Sequence, residues 1–564
     1  MARAQGMATT EATTQSAGPH AGAKLPPRLA GGLPVVGHMV QFARDPVSLM
    51  RRVRAECGPA GEINLLGKRV VLLSGAEAQE VFCRAPDEQL SQKVAYRLMT
   101  PIFGEGVVFD APLDRLNEQL RILMPALRDR NMRNYAGIFT AEVDAMVRKW
   151  GDQGDIDLLD FTAELTTYTS SHCLLGAEFR YGMTEEFARV YAALEGGVNA
   201  IAYVNPYLPL PAFRRRDRAR ARLVEMITAN IEQRRAAGAK PDDALQVLME
   251  SRYSDGTALT PNEITGILTA AMFAGHHTSS GTAAWTLIEL LRNPEWLVRV
   301  RDEVDALYAR DGGVTYQSLR EVPVLESILK EVLRLHPPLI ILMRGVLQDL
   351  HVAGYAIPAA HLVAISPPVS HAIPELFRDP DRFDPGRYGP GREEDAEQFG
   401  WIPFGGGAHR CSGSAFALMQ LKAITASLLR SWSFELVDAP GSYQPDYPKM
   451  VVQPKHPCRV RYRRRHDVPA AAVARVTTAA ASADEAVSIA LDRGLCQGHG
   501  VCVSEAPELF HLEKGANVVN VLRDEAPPEL RAKVELAAKH CPTRALSLRK
   551  RGQAPFSRDR EKGA

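Results

Sequence analysis

From about residue 45 to residue 435 the chain alternates stretches with apolar residues at helical spacing and short strand-like runs. A lead-in punctuated by Pro26, Pro27, Gly31, Gly32, Pro34 and Gly37 precedes it. Thr260-Pro261-Asn262-Glu263 places a Thr N-cap, Pro at the first helical position and Glu three residues on, a strong helix start. The helix predicted there runs to Arg292, before Asn293-Pro294, about 50 Å at 1.5 Å per residue. Val451 to Val460 reads as a last extended piece.

The pattern then changes. Residues 463–484, from Arg463-Arg464-Arg465 through an Ala-rich run, lack apolar periodicity and read as a linker. A smaller unit follows over 485–549. Val487, Ile489 and Leu491 alternate as a strand, and a cysteine-bearing loop and a short helix come next. A strand pair is predicted around Gly515-Ala516-Asn517, a helix from Pro527-Pro528 through Lys539, and a closing strand over Ala545–Leu548. The first 24 residues read as disordered, and 550–564 as a basic, low-complexity tail.

Composition narrows the class. With 564 residues, 46% of them hydrophobic, the chain can bury two or more packed units. A net charge of +1 gives no global pull toward nucleic acid or anionic lipid. The eight cysteines (57, 83, 173, 411, 458, 496, 502 and 541) are too sparse for a disulfide scaffold. No apolar run at the start suits a signal peptide or membrane span, so a soluble, cytoplasmic protein with free thiols is expected. No tandem repeat is visible, and no GxGxxG follows a strand to mark a flavin or nicotinamide domain.

Two stretches carry chemistry. The middle of the long helix reads Ala274-Gly275-His276-His277-Thr278-Ser279. Such groups in an apolar helix need partners: either they bond within the core, or the helix loosens there to offer proton donors. The second stretch is Phe404-Gly405-Gly406-Gly407-Ala408-His409-Arg410-Cys411-Ser412-Gly413. Its glycines let backbone pass close to a flat object. Cys411 sits just before a helix, where N–H groups stabilise a thiolate. Such a thiolate, as an axial haem ligand, favours O–O cleavage, and His409 is placed to meet a haem propionate.

Phe404, Gly407, Cys411 and Gly413 match the FxxGxxxCxG haem loop of the cytochrome P-450 family, Glu331-Val-Leu-Arg334 its ExxR helix, and Arg387 the arginine of its PERF-type segment. Residues 25–462 thus resemble that family, with Gly386 and Tyr388 departing slightly from its pattern. The resemblance implies a mainly helical fold with small β-sheets, haem b on Cys411, and a structural triad of Glu331, Arg334 and Arg387. His277, where most members carry an acid, and Tyr96-Arg97-Leu98-Met99-Thr100-Pro101-Ile102-Phe103 resemble the sterol 14α-demethylase subfamily.

That subfamily implies three successive oxygenations of a sterol 14α-methyl, each using one O₂ and two electrons, the methyl leaving as formate. It also implies Thr278 and His277 as proton relay, and a substrate wall of Tyr96, Leu98, Met99, Phe103, Ala274 and His277. Leu98 stands where lanosterol-type members carry Leu and plant ones Phe. Tyr96, Arg344 and Arg121 are the implied propionate contacts; Asn117 stands where a Trp usually precedes an arginine such as Arg121. A different lipid or terpenoid substrate, or a haem sensor or carrier without turnover, remains open.

In the smaller unit Cys496-x5-Cys502 and Cys541-Pro542 supply three thiolates, with His499 where bacterial ferredoxins carry another Cys. This resembles the single-cluster 3Fe-4S ferredoxins and implies a small α+β domain holding a three-iron cluster. His499 as ligand to a fourth iron, or zinc on three Cys and one His, are the alternatives. The expected partners are a sterol, O₂ and an external NAD(P)H-dependent ferredoxin reductase, with the chain a monomer. Nine acids against seven bases over 485–548 offer docking little help from charge. The tether, which sets an effective concentration near the millimolar range, is expected to make strong surface complementarity unnecessary.

Overall fold

The computed structural model describes residues 24–182, 185–198, 201–202, 205–238, 240–241, 243–447, 449–466, 487–513 and 516–550. The expected disorder of 1–24 (all but Lys24), most of the expected linker and nearly all of the basic stretch 550–564 lie outside these residues. The main unit is mainly helical with small β-sheets. Its axis is the central helix Pro261–Arg292. The Thr260 hydroxyl accepts the Glu263 N–H at 3.2 Å and the Glu263 carboxylate accepts the Thr260 N–H at 2.8 Å. This reciprocal cap satisfies two otherwise orphaned donors. Past the cap the helix is apolar nearly all round, because it is buried nearly all round. Ile264, Ile267, Leu268 and Met272 face one core cluster, and Ala283 to Leu290 the other. Helices Leu158–Leu175, Pro211–Ala237 and Ser414–Ser431 pack around it.

The helix does not loosen at His276-His277-Thr278; it is unbroken from end to end. Its polar side chains find partners without freeing backbone. The hydroxyl of Thr278 donates to the Ala274 carbonyl one turn back, and that of Thr282 to the Thr278 carbonyl at 2.7 Å.

A five-stranded sheet lines one flank, in the order 60–65, 68–73, 362–365, 342–346, 90–91. Only the pairing of 70–73 with 362–365 is parallel. It carries Arg344 opposite Val363. A second sheet sets Arg459–Arg464 between Gln153–Asp157 and Trp432–Leu436. The last extended piece therefore starts at Arg459 rather than Val451; Pro454 and Pro457, lacking N–H donors, keep the preceding residues out of the ladder.

The smaller unit centres on strand Val487–Leu491, flanked by Glu525–Ala526 and Leu546–Lys550. The pair predicted around Gly515 forms as Phe510–His511 against Asn520–Val521; Gly515 itself lies outside the described residues. Helices Val501–Glu505 and Arg531–Lys539 cover a core of Val487, Leu509, Phe510, Val534 and Ala537.

The two units share a built interface, against the expectation that the tether would suffice. Leu495 and Ala545 join Phe82, Cys83 and Phe399 in one apolar cluster. Arg84 pairs with Asp492 at 3.1 Å, Arg320 donates to His540 Nδ1 at 2.6 Å and pairs with Glu505, and Arg544 reaches back to Asp395. Net charge misses this, because pairing depends on where single charges fall, not on their total.

Candidate active site and cysteine cluster

An open cavity of about 2630 Å³ is bordered by the 404–413 loop, the central helix and the 96–110 segment, and it extends to Cys496, Gln497 and Asn517 of the smaller unit. The loop's shape needs its glycines. Gly407 has φ +67°, and a β-carbon there would lie 1.9 Å from the Cys83 carbonyl oxygen. Folded so, the loop delivers Cys411 to the head of helix Ser414–Ser431, with its N–H bonded to the Phe404 carbonyl at 2.9 Å. The thiol is exposed, to the cavity rather than to bulk water. Burial pushes it above its ordinary 9.0, while the Gly413 N–H and the Arg410 guanidinium pull the other way. A thiol so placed ionises when it binds a metal. An open thiol, a glycine cradle and a large apolar cavity fit a haem.

The remaining predicted residues divide by wall. Leu98, Met99 and Phe103 are buried on one side and border the cavity. Tyr96 stacks on Phe109 at 4.9 Å, and Phe103 meets Phe273 edge-on at 6.0 Å. The Tyr96 hydroxyl accepts the Met343 N–H at 3.3 Å, which leaves its own proton to donate. Arg344 is 3% exposed; it donates to the Phe82 carbonyl at 2.8 Å and borders the cavity, a buried cation with room for an anion. Arg121 is exposed at the rim. His409 borders the cavity too, but its ring is held by Asp87 at 2.5 Å, so the expected propionate contact competes with a carboxylate already in place. Phe404 lies beside the cysteine, and Trp401 meets its ring at 6.1 Å.

Ala274, His277 and Thr278 border the same cavity as Cys411. His277 Nε2 lies 2.7 Å from Glu195. His276 bonds Thr167 at 2.6 Å and stacks edge-on with His277 at 4.3 Å. Burial, then the neighbouring His277, holds His276 down to about 4. Sequence reasoning missed Glu195, an ordinary helical acid by its spacing. It also missed Gln453, whose amide donates to the His277 carbonyl at 3.0 Å and to Ser280 at 2.9 Å. Only the fold brings either residue to the helix.

Glu331, Arg334 and Arg387 come together behind the loop, each at most 2% exposed. Arg334 grips both Glu331 oxygens at 2.8 Å, and Arg387 Nε reaches them at 3.1 Å. Tyr388, one of the departures from the family pattern, donates its hydroxyl to Glu331 at 2.9 Å.

In the smaller unit Cys496, Cys502 and Cys541 gather on one side. Burial pushes the Cys502 thiol up to about 12, with Cys541 and Cys496 adding to it. Gly498, at φ +66°, leaves no room for a β-carbon beside Asn517. His499 is 5% exposed, and both ring nitrogens are buried without a hydrogen-bond partner. Burial, with Arg410 and Arg128 nearby, holds it neutral, down to about 4. Three converging thiols and an orphaned imidazole fit an iron–sulfur cluster.

Comparison with known proteins agrees with this geometry. Residues 26–461 match the family Cytochrome P450, and residues 489–548 match a 4Fe-4S single cluster domain. A sterol 14alpha-demethylase of Mycolicibacterium vanbaalenii is 52% identical over 444 residues, spanning 78% of this chain and 98% of that protein. One from Mycobacterium tuberculosis is 51% identical over 448 residues (78% and 99%), and a sterol 14-demethylase of Arabidopsis thaliana 40% over 450 (78% and 92%). The fold is shared with retinoic acid-bound cyanobacterial CYP120A1, at TM-score 0.70 and 24% identity over 78% of this chain and 99% of that one. The thiol at the helix head, the cavity above it and the match along 26–461 lead to one conclusion: the chain belongs to the cytochrome P450 family.

Proposed function

We propose that the protein is a sterol 14α-demethylase with its own electron carrier in the same chain. The P450 unit spans 25–462, a linker 463–484 and the carrier 485–549. The supporting observation is the cavity between Cys411 and the His277–Thr278 pair, in a chain 52% identical to a sterol 14alpha-demethylase. Haem held by Cys411 would supply O₂ activation, and Arg344, Tyr96, Arg121 and His409 are the residues that would hold its propionates.

The chain's own residues bind, orient and protonate. Tyr96, Leu98, Met99, Phe103 and Ala274 form the apolar wall that a lanosterol-type sterol needs. Glu195 lies 2.7 Å from His277 Nε2, and the Thr278 hydroxyl, which donates to the Ala274 carbonyl, borders the same cavity as Cys411; His277 and Thr278 are the groups that would move protons there. Three such rounds release the 14α-methyl as formate and leave a C14–C15 double bond. An NAD(P)H-dependent reductase supplies the electrons.

The three cysteines hold a 3Fe-4S cluster. A second reading, His499 on a fourth iron, draws on its two unpartnered nitrogens; iron and acid-labile sulfide analysis, with EPR of the oxidised protein, separates the two. Incubation with lanosterol and a reductase system tests the whole. The expected outcome is a substrate-induced Soret shift and a 14-desmethyl product. Absence of both, in protein with a normal red-shifted carbonyl band, rejects the sterol and leaves another lipid or terpenoid.

A further inference from the structure

The cysteine loop of the P450 unit and the cysteine segments of the small unit are joined at one residue. Arg410 immediately precedes Cys411, and its guanidinium donates to the Pro542 carbonyl at 2.9 Å. Pro542 immediately follows Cys541. In the other direction, the Gln497 side-chain amide donates to the Arg410 carbonyl at 2.9 Å. Gln497 immediately follows Cys496. Two of the three cluster cysteines are thus each one residue and one hydrogen bond away from the neighbour of Cys411. Arg128 closes the same seam with a bond to the Ala516 carbonyl at 2.8 Å.

We propose that Arg410 is the positioning residue that seats the carrier against the cysteine loop, with Gln497 as its counterpart. This rests on the function proposed above. A backbone carbonyl as acceptor makes the contact one of shape and register, because it reads where the chain runs rather than a side chain's charge. The Arg410 guanidinium is buried across Phe404 at 5.9 Å, which fixes its direction. Electron transfer slows as the separation of the two centres grows, so a seat that fixes both loops bears directly on electron delivery.

The test uses the full-length protein with both cofactors bound. The variants are Arg410→Gln and Gln497→Ala. Each is reduced by a photoexcited deazaflavin under carbon monoxide: the dye gives one electron to the cluster, and that electron then reduces the ferric haem, read as growth of the carbonyl band. The expected result is unchanged iron, sulfide and final carbonyl absorbance. Haem reduction slows severalfold, and hydrogen exchange quickens over 494–502. Where Arg410→Gln loses haem, Gln497→Ala decides alone. Full cofactor content with wild-type reduction rate and exchange overturns the seat while leaving the proposed function standing. A wild-type protein that shows no carbonyl band overturns the function first.

Discussion

Two charged clusters lie within the P450 unit and are built oppositely. Around Glu331 every carboxylate oxygen is filled. Arg334, Arg387, Tyr388 and the Asp384 N–H all donate to it, and the group is 0% exposed. At the middle of the central helix, His277 and Glu195 form a single contact, with side chains 31% and 26% exposed. The first arrangement has no spare site for a proton and holds parts of the fold in place. The second keeps open positions beside a cavity, which is what proton handling requires. Counting ionisable residues does not distinguish them; counting open positions does.

Glu331→Gln breaks the comparison on its firm side. It leaves Arg334 buried without its counter-charge and Arg387 with Glu394 alone, at a cost of about 3–5 kcal/mol. Thermal unfolding and haem content should both fall; wild-type values for both would show the cluster to be dispensable. Thr278→Ala acts on the open side. It should leave the carbonyl band and melting temperature near wild type and reduce product formed per NAD(P)H by roughly 10²-fold. Unchanged coupling would place proton delivery elsewhere.

A pH series sharpens the comparison further. His276 is held down to about 4 when folded, against an ordinary 6.5. On acidification the unfolded chain takes up that proton first, so the stability His276 confers is present above about pH 6.5 and is lost as pH falls toward 4. A His276→Asn variant should show a shallower decline across that window, measured by denaturant titration at each pH; parallel declines would exonerate His276. The smallest effect is expected from Glu195→Gln. An exposed ion pair contributes at most about 1 kcal/mol, so unfolding should scarcely move while the pH profile of turnover shifts. A large loss of stability would mean that the pair is structural after all.

What the sequence made legible follows from how local each signal is. The Thr260 cap, the central helix and the cysteine loop are written in contiguous residues, and local rules read them. Of the two readings left open at His276 and His277, bonding within the core holds rather than loosening, because Thr167 and Glu195, distant in sequence, lie beside them. The seam between the units was hidden for the same reason. Arg84 and Asp492 stand 408 positions apart, and no single-chain pattern pairs them. Tyr388 looked like a departure from the family motif and proves to be a donor to its central carboxylate.

The seam has a kinetic corollary. Both of its faces belong to one polypeptide, so dilution cannot part them. With the reductase held at a fixed saturating concentration, turnover per molecule should hold constant as the enzyme is thinned, and a carrier added from outside should compete only as it nears the millimolar concentrations that covalent linkage provides.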